Sequence, residues 1–118
     1  MGNLRVLVCG GRDYTDRDRV YRELDAVRRR RNDITVLEGG AFGADYYARG
    51  WCMSGGALCE TYEADWQAHG RAAGPIRNQE MLDEGKPDLV IAFPGGRGTA
   101  DMIRRARAAG VEVVEVKE

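Results

Sequence analysis

One histidine, two lysines and three cysteines are scattered through 118 residues, and each scarcity closes a class of chemistry. A single imidazole, His69, gives no basis for a Ser-His-Asp triad or a multi-histidine metal centre. It stays a candidate proton donor on a loop, set against an ordinary surface histidine. The cysteines Cys9, Cys52 and Cys59 are odd in number and lack metal-ligand spacing, which implies reduced thiols rather than a disulfide framework. No apolar run approaches the ~20 residues that span a bilayer, and no signal-peptide pattern opens the chain. A cytoplasmic protein with no membrane partner is therefore expected. Neither charge is in surplus: 18 basic and 19 acidic side chains leave a formal net charge of −1. That balance weighs against nucleic acid as the main partner, because phosphate neutralisation needs an excess of Lys and Arg. A small anion needs only a local positive site. The sequence also lacks Gly-x-x-x-x-Gly-Lys-Ser/Thr, and the segment GGRDY (Gly10–Tyr14) lacks the third glycine of a dinucleotide fingerprint. A P-loop NTPase and an NAD-dependent dehydrogenase are both disfavoured, and no cofactor or metal is expected.

What is present fits one domain over residues 1–118, with 43% hydrophobic residues and length enough for a core without staples. Sixteen of the basic residues are arginine. A GC-rich genome alone would produce that bias, which also suits recognition of phosphate or carboxylate by a planar fork. Cys9 reads as a small apolar residue at a strand end. The run Arg28–Arg31 reads either as cations on a helix C-terminus or as a nucleic-acid patch.

Short apolar runs alternate with amphipathic stretches. Strands are predicted at Leu4–Cys9, Ile34–Glu38, Leu58–Glu63, Leu89–Phe93 and Glu112–Val116. Helices are predicted from the caps Thr15 and Asp16 to about Arg31, from Gly43 toward Met53, from Pro75 to about Glu84, and from Thr99 to Ala109. Ala64–Gly74 is expected to be irregular. Alternation of this kind demands parallel strands with helical crossovers, so the predicted fold is an α/β three-layer Rossmann-like sandwich with strand order 3-2-1-4-5.

Glycine placement carries the functional signal. Gly10 and Gly11 follow the first strand, Gly39, Gly40 and Gly43 the second, and Gly95, Gly96 and Gly98 the fourth. In the predicted order these strands are neighbours, so all three loops meet at the carboxyl edge, where ligands of open α/β sheets bind. Backbone without Cβ atoms can present N–H groups to phosphate oxygens. Each loop alone is equally a tight turn; three converging on one edge point to a phosphate-bearing ligand.

CGGRDY (Cys9–Tyr14), GGAFGAD (Gly39–Asp45), ADWQAHGRAAGPIRNQEM (Ala64–Met81) and FPGGRGTADM (Phe93–Met102) together resemble the YspA/YpsA-related branch of the SLOG superfamily. That superfamily includes the LOG phosphoribohydrolases and the DNA-processing DprA proteins. The resemblance implies a Rossmann-like domain that binds or senses a nucleotide or nucleotide-derived ligand. It also implies an alternative, cleavage of the N-glycosidic bond of nucleoside 5′-monophosphates, with Arg77 and Asp101 as the catalytic pair. LOG enzymes pair Arg-Lys-x-x-Met with Pro-Gly-Gly-x-Gly-Thr-x-x-Glu. Here Asn78 replaces the Lys and Met102 the final acid, while Asp101 stands one residue early, about 100° around a helix. By the same resemblance a homodimer through helices beside the site is expected.

Ligand contacts are expected from Pro94, Gly95, Gly96, Arg97, Gly98 and Thr99 on phosphate, the Thr99 hydroxyl serving either there or as helix cap. Arg77 and Asn78 would reach phosphate or leaving base, the alternative for Arg77 being a solvated side chain. Arg12 would grip phosphate, and Asp13 either accepts a ribose hydroxyl or forms an Asx turn. Asp45 is a further ligand-contact candidate, the alternative being a first-turn acid that the helix dipole alone would stabilise. Trp66 would stack on a base, whereas Trp51 packs a helix on the sheet.

Overall fold

The computed structural model describes residues 3–31 and 33–117. Its strands are β1 (Leu4–Cys9), β2 (Ile34–Glu38), β3 (Leu58–Thr61), β4 (Leu89–Ala92) and β5 (Glu112–Glu115). All pair in parallel, in the order β3-β2-β1-β4-β5. Register sets Leu4 beside Ile34, and Val6 beside both Val36 and Leu89. The helices are α1 (Arg17–Arg30), α2 (Ala44–Gly55), α3 (Trp66–His69), α4 (Ala73–Asp83) and α5 (Arg97–Ala108), with a 3₁₀ turn at Gly70–Ala72.

Strand alternation sorts the core into two layers. Val6, Val8, Val36 and Ile91 meet Val20 and Leu24 of α1 and Ala44, Ala48 and Trp51 of α2. Leu7, Leu37 and Val90 on the other face meet Met81 and Leu82 of α4 and Met102 and Ala106 of α5. Each such side chain contributes roughly 1.5–3 kcal/mol when fully buried. Trp51 is buried and its Nε1 donates to Asp25 Oδ1 at 2.8 Å, so its packing role holds. No helix among the described residues is long and apolar enough to cross a membrane.

Local chemistry explains the boundaries. Asp16 caps α1 by accepting from Arg19 N at 3.0 Å. β3 stops at Thr61, two residues short of the predicted end, as an edge strand with both its first and last residues exposed. The stretch expected to be irregular holds α3, capped by Asp65 accepting from Ala68 N at 3.0 Å. α4 begins at Ala73, which puts Pro75 in its first turn, where its missing N–H costs no intrahelical bond. α5 begins two residues early because Gly96, not Thr99, occupies the capping position. Thr99 is instead buried in the first turn, which removes the cap reading of that residue.

Candidate functional site

The topology puts the ends of β2, β1 and β4 side by side, and the loops leaving them touch through missing side chains. A Cβ on Gly11 would stand 3.1 Å from Gly95 Cα, and one on Gly10 would stand 2.7 Å from Ala44 Cβ. A Cβ on Gly43, which has φ +76°, would collide with Gly11 O. Gly11 N donates to Pro94 O at 2.9 Å, and Phe93 N to Cys9 O at 2.9 Å. Against the joined loops opens a cavity of about 1030 Å³.

Of the residues singled out from sequence, Gly10, Gly11, Arg12, Asp13, Gly39, Asp45, Trp66, Arg77, Asn78, Pro94, Gly95, Gly96, Arg97, Gly98, Thr99 and Asp101 line this cavity. Gly40 and Gly43 do not. Gly40 turns down onto the buried Glu38, and Gly43 is the N-terminal cap of α2, backed onto the Gly11–Arg12 backbone. Both shape the loop without forming the wall. His69 is exposed and stands outside the lining.

The loops differ in what their backbone has left to offer. In the β2 loop three successive amides are already spent. Gly39 N donates to Asp45 Oδ2 at 3.0 Å, Gly40 N to Glu38 Oε1 at 2.7 Å, and Ala41 N to Asp45 Oδ2 at 3.4 Å. Expectation had these amides facing phosphate; the two carboxylates beneath the loop take them instead. The β4 loop is the opposite case. Gly95, Gly96 and Gly98 are exposed, and a Cβ on Gly96 or Gly98 would meet nothing within 4 Å. The first-turn amides of α5 lie there, without intrahelical acceptors and at the positive end of the dipole.

Charge on the wall follows the same division. Arg12, Arg71, Arg77, Arg97 and Arg104 line the cavity against Asp13, Asp45 and Asp101. Arg77 is a strut as well as a lining residue. Its Nη1 donates to Gly39 O at 2.6 Å and to Tyr62 O at 3.3 Å, and its Nε donates to Asn78 Oδ1 at 3.1 Å. Among the described residues Nη2 makes no hydrogen bond. Asn78, buried, passes the contact on by donating from Nδ2 to Asp101 Oδ2 at 3.0 Å.

Asp101 is held by two more donors, Arg104 Nη2 at 2.6 Å and Arg105 Nε at 2.8 Å. Burial pushes its carboxyl up, but Asn78, Arg105 and Arg104 outweigh burial and hold it below the usual carboxylate range. Asp45 goes the other way. Burial first, then the neighbouring Glu38 charge, lift it to about 6 against the opposing pull of Ala41 N, Arg77 and Gly39 N. Burial lifts the Cys9 thiol to about 12, leaving it a neutral part of the wall. Trp66 is half exposed, with the Arg12 guanidinium 5.6 Å from its ring centre.

Sequence reasoning missed Glu38, Arg71 and Arg104. Glu38 had a visible signal, an acid closing the otherwise uncharged strand ITVLE before a glycine pair. Arg104 lies one helical turn beyond Asp101, a spacing legible once α5 is placed.

Residues 4–69 match the YspA, cpYpsA-related SLOG family. The Gene 61 protein of Mycobacterium phage D29 is 39% identical, with 93% of this chain and 94% of that protein aligned. Among solved structures, TM1055 aligns at TM-score 0.73 and 20% identity, over 93% of this chain and 72% of that one. The DNA processing protein A (DprA) of Streptococcus pneumoniae aligns at TM-score 0.79 and 17% identity, over 98% of this chain and only 50% of that one. The C-terminal domain of the PF1911 hydrogenase from Pyrococcus furiosus aligns at TM-score 0.58 and 18% identity, over 96% and 91%. At such identities these likenesses establish the Rossmann-like fold.

Proposed function

We propose, from the premise that the chain belongs to the YspA, cpYpsA-related SLOG family, that the cavity binds a nucleotide or nucleotide-derived ligand as a sensing module. Its phosphate sits at the N-terminus of α5. The observation that carries this reading is the contrast between the loops: the β2 loop has spent its amides internally, while Gly96 and Gly98 leave open backbone under a ring of arginines. A volume of about 1030 Å³ has room for base, ribose and phosphate together. Trp66 and Arg12 at the rim offer flat surfaces to a base. Arg77 Nη2 is the guanidinium atom left for an anion.

A thermal-shift panel of nucleotides and ADP-ribose, with chromatography for released base, tests the reading. A ligand at about 100 times its Kd adds about 2.7 kcal/mol of stability, a shift of several degrees. Gly98→Val is the matched control. Its Cβ enters open space on the cavity wall and valine is at least as good in a helix as glycine, so the free protein keeps its Tm while the ligand shift disappears. No stabilising compound, or a Gly98→Val protein that responds like wild type, rules the reading out.

Cleavage of a nucleoside monophosphate is the second reading, favoured by Arg77 and Asp101 lining one cavity with Asn78 bridging them. The Asp101 carboxylate, committed to three donors and held ionised, is poorly placed to take up a proton or to attack. Release of free base by wild type and its loss in Asp101→Asn would establish the enzyme instead.

A further inference from the structure

Opposite the open β4 loop, the cavity wall rests on two acids buried side by side. Glu38 ends β2 with no exposed surface, and Asp45, second residue of α2, is 6% exposed. Between them they accept the three consecutive amides of Gly39, Gly40 and Ala41, and so set the path of the β2 loop. Glu38 Oε2 also accepts from the Thr61 hydroxyl of β3 and lies 3.7 Å from Cys59 Sγ. Charged or titratable groups reach this spot from each neighbouring element: Glu38 from β2, Arg77 from α4, the neutral Cys9 thiol from β1, and Glu63 after β3 against Gly40. Arg77 braces the same loop, its Nη1 fixed on Gly39 O at 2.6 Å, and its charge acts on Asp45 against the neighbouring Glu38.

We propose that Asp45 is a positioning residue for the β2 loop that takes up one proton when an anion occupies the cavity, so that ligand binding and protonation reinforce each other. The inference rests on the cavity being an anion site. An anion drawn to Arg77 competes for the guanidinium that opposes the Glu38 charge at Asp45, and adds a further negative charge beside that carboxyl. Like charges at close range in a dry setting cost most, and the least costly relief is a proton from the buffer onto the carboxylate that already titrates close to neutrality. Glu38 is engaged on its own side, accepting from Gly40 N and the Thr61 hydroxyl. The linked affinity rises as pH falls, by at most about tenfold per pH unit for one proton.

The test has two arms and two probes, ADP-ribose and sulfate, both of which stay fully ionised across the neutral range. In the free protein, the amide resonances of Gly39 and Ala41 should follow one titration centred on about 6. The titration should vanish in Asp45→Asn and move down in Glu38→Gln, which removes the neighbouring charge. Flat resonances in wild type overturn the positioning role, whatever the ligand. In the second arm, calorimetry in two buffers of different ionisation enthalpy should show proton uptake on binding by wild type and none by Asp45→Asn. Binding without proton uptake overturns the coupling alone and leaves the proposed ligand class standing. A cavity that neither probe perturbs overturns the coupling, while the nucleotide panel decides the proposed function separately and the first arm decides whether Asp45 positions the loop.

Discussion

At the scale of the residue, the two aspartates of the cavity show how environment separates chemically identical groups. Asp101 meets three donors and stays ionised; Asp45 meets burial and Glu38 and holds its proton up to about 6. The raised value is a statement about stability. Between the ordinary carboxylate value of about 4 and the folded value, the native chain binds more protons than the unfolded one. Its contribution is therefore fully present at low pH and is lost as pH rises through about 6. Wild type should lose stability relative to Asp45→Asn over that window, by up to about 1.4 kcal/mol per pH unit, and the difference should be constant above it. Urea denaturation of both proteins at a series of pH values measures this; a difference independent of pH would refute it. The sequence marked Asp45 as a first-turn acid, and that much is correct. Nothing local told that Glu38 would lie beneath the same loop.

At the scale of the element, glycine does two distinct jobs that composition cannot separate. Gly10, Gly11, Gly43 and Gly95 let the loops pack on one another, whereas Gly96 and Gly98 face open space. Gly43→Ala should cost about 2 kcal/mol or more, because φ is +76° and the new Cβ collides with Gly11 O. Gly56→Ala has nearly the same backbone angle, φ +73°, with nothing within 4 Å, so it should show the strain without the collision and cost about 1 kcal/mol. Equal losses in the two variants, by thermal or chemical denaturation, would show that loop contact adds nothing. The helices and strands themselves were legible to within two or three residues. The exception is α3, one turn long with no buried residue, which leaves no hydrophobic period to read.

At the scale of the whole molecule, charge is balanced but its distribution is not. Five arginines gather on one cavity, while part of the Arg28–Arg31 run is spent locally: Arg28 donates to Gly55 O at 2.8 Å and covers the Trp51 ring. With a formal net charge of −1 and Arg28 of that run engaged locally, the protein should pass through a DNA column at physiological salt. Retention there, relieved by added salt, would shift the partner from a small anion to nucleic acid.

Periodicity and glycine punctuation were enough for the parallel sheet, its order and the edge where the loops meet, because strand alternation and crossover chemistry are properties of short segments. Which backbone amides remain available was not readable in that way. A glycine loop looks the same in sequence whether its N–H groups face solvent or face a carboxylate arriving from another helix. That choice depends on Asp45 and Glu38 being brought together under residues 39–41, a consequence of how α2 folds back onto the end of β2.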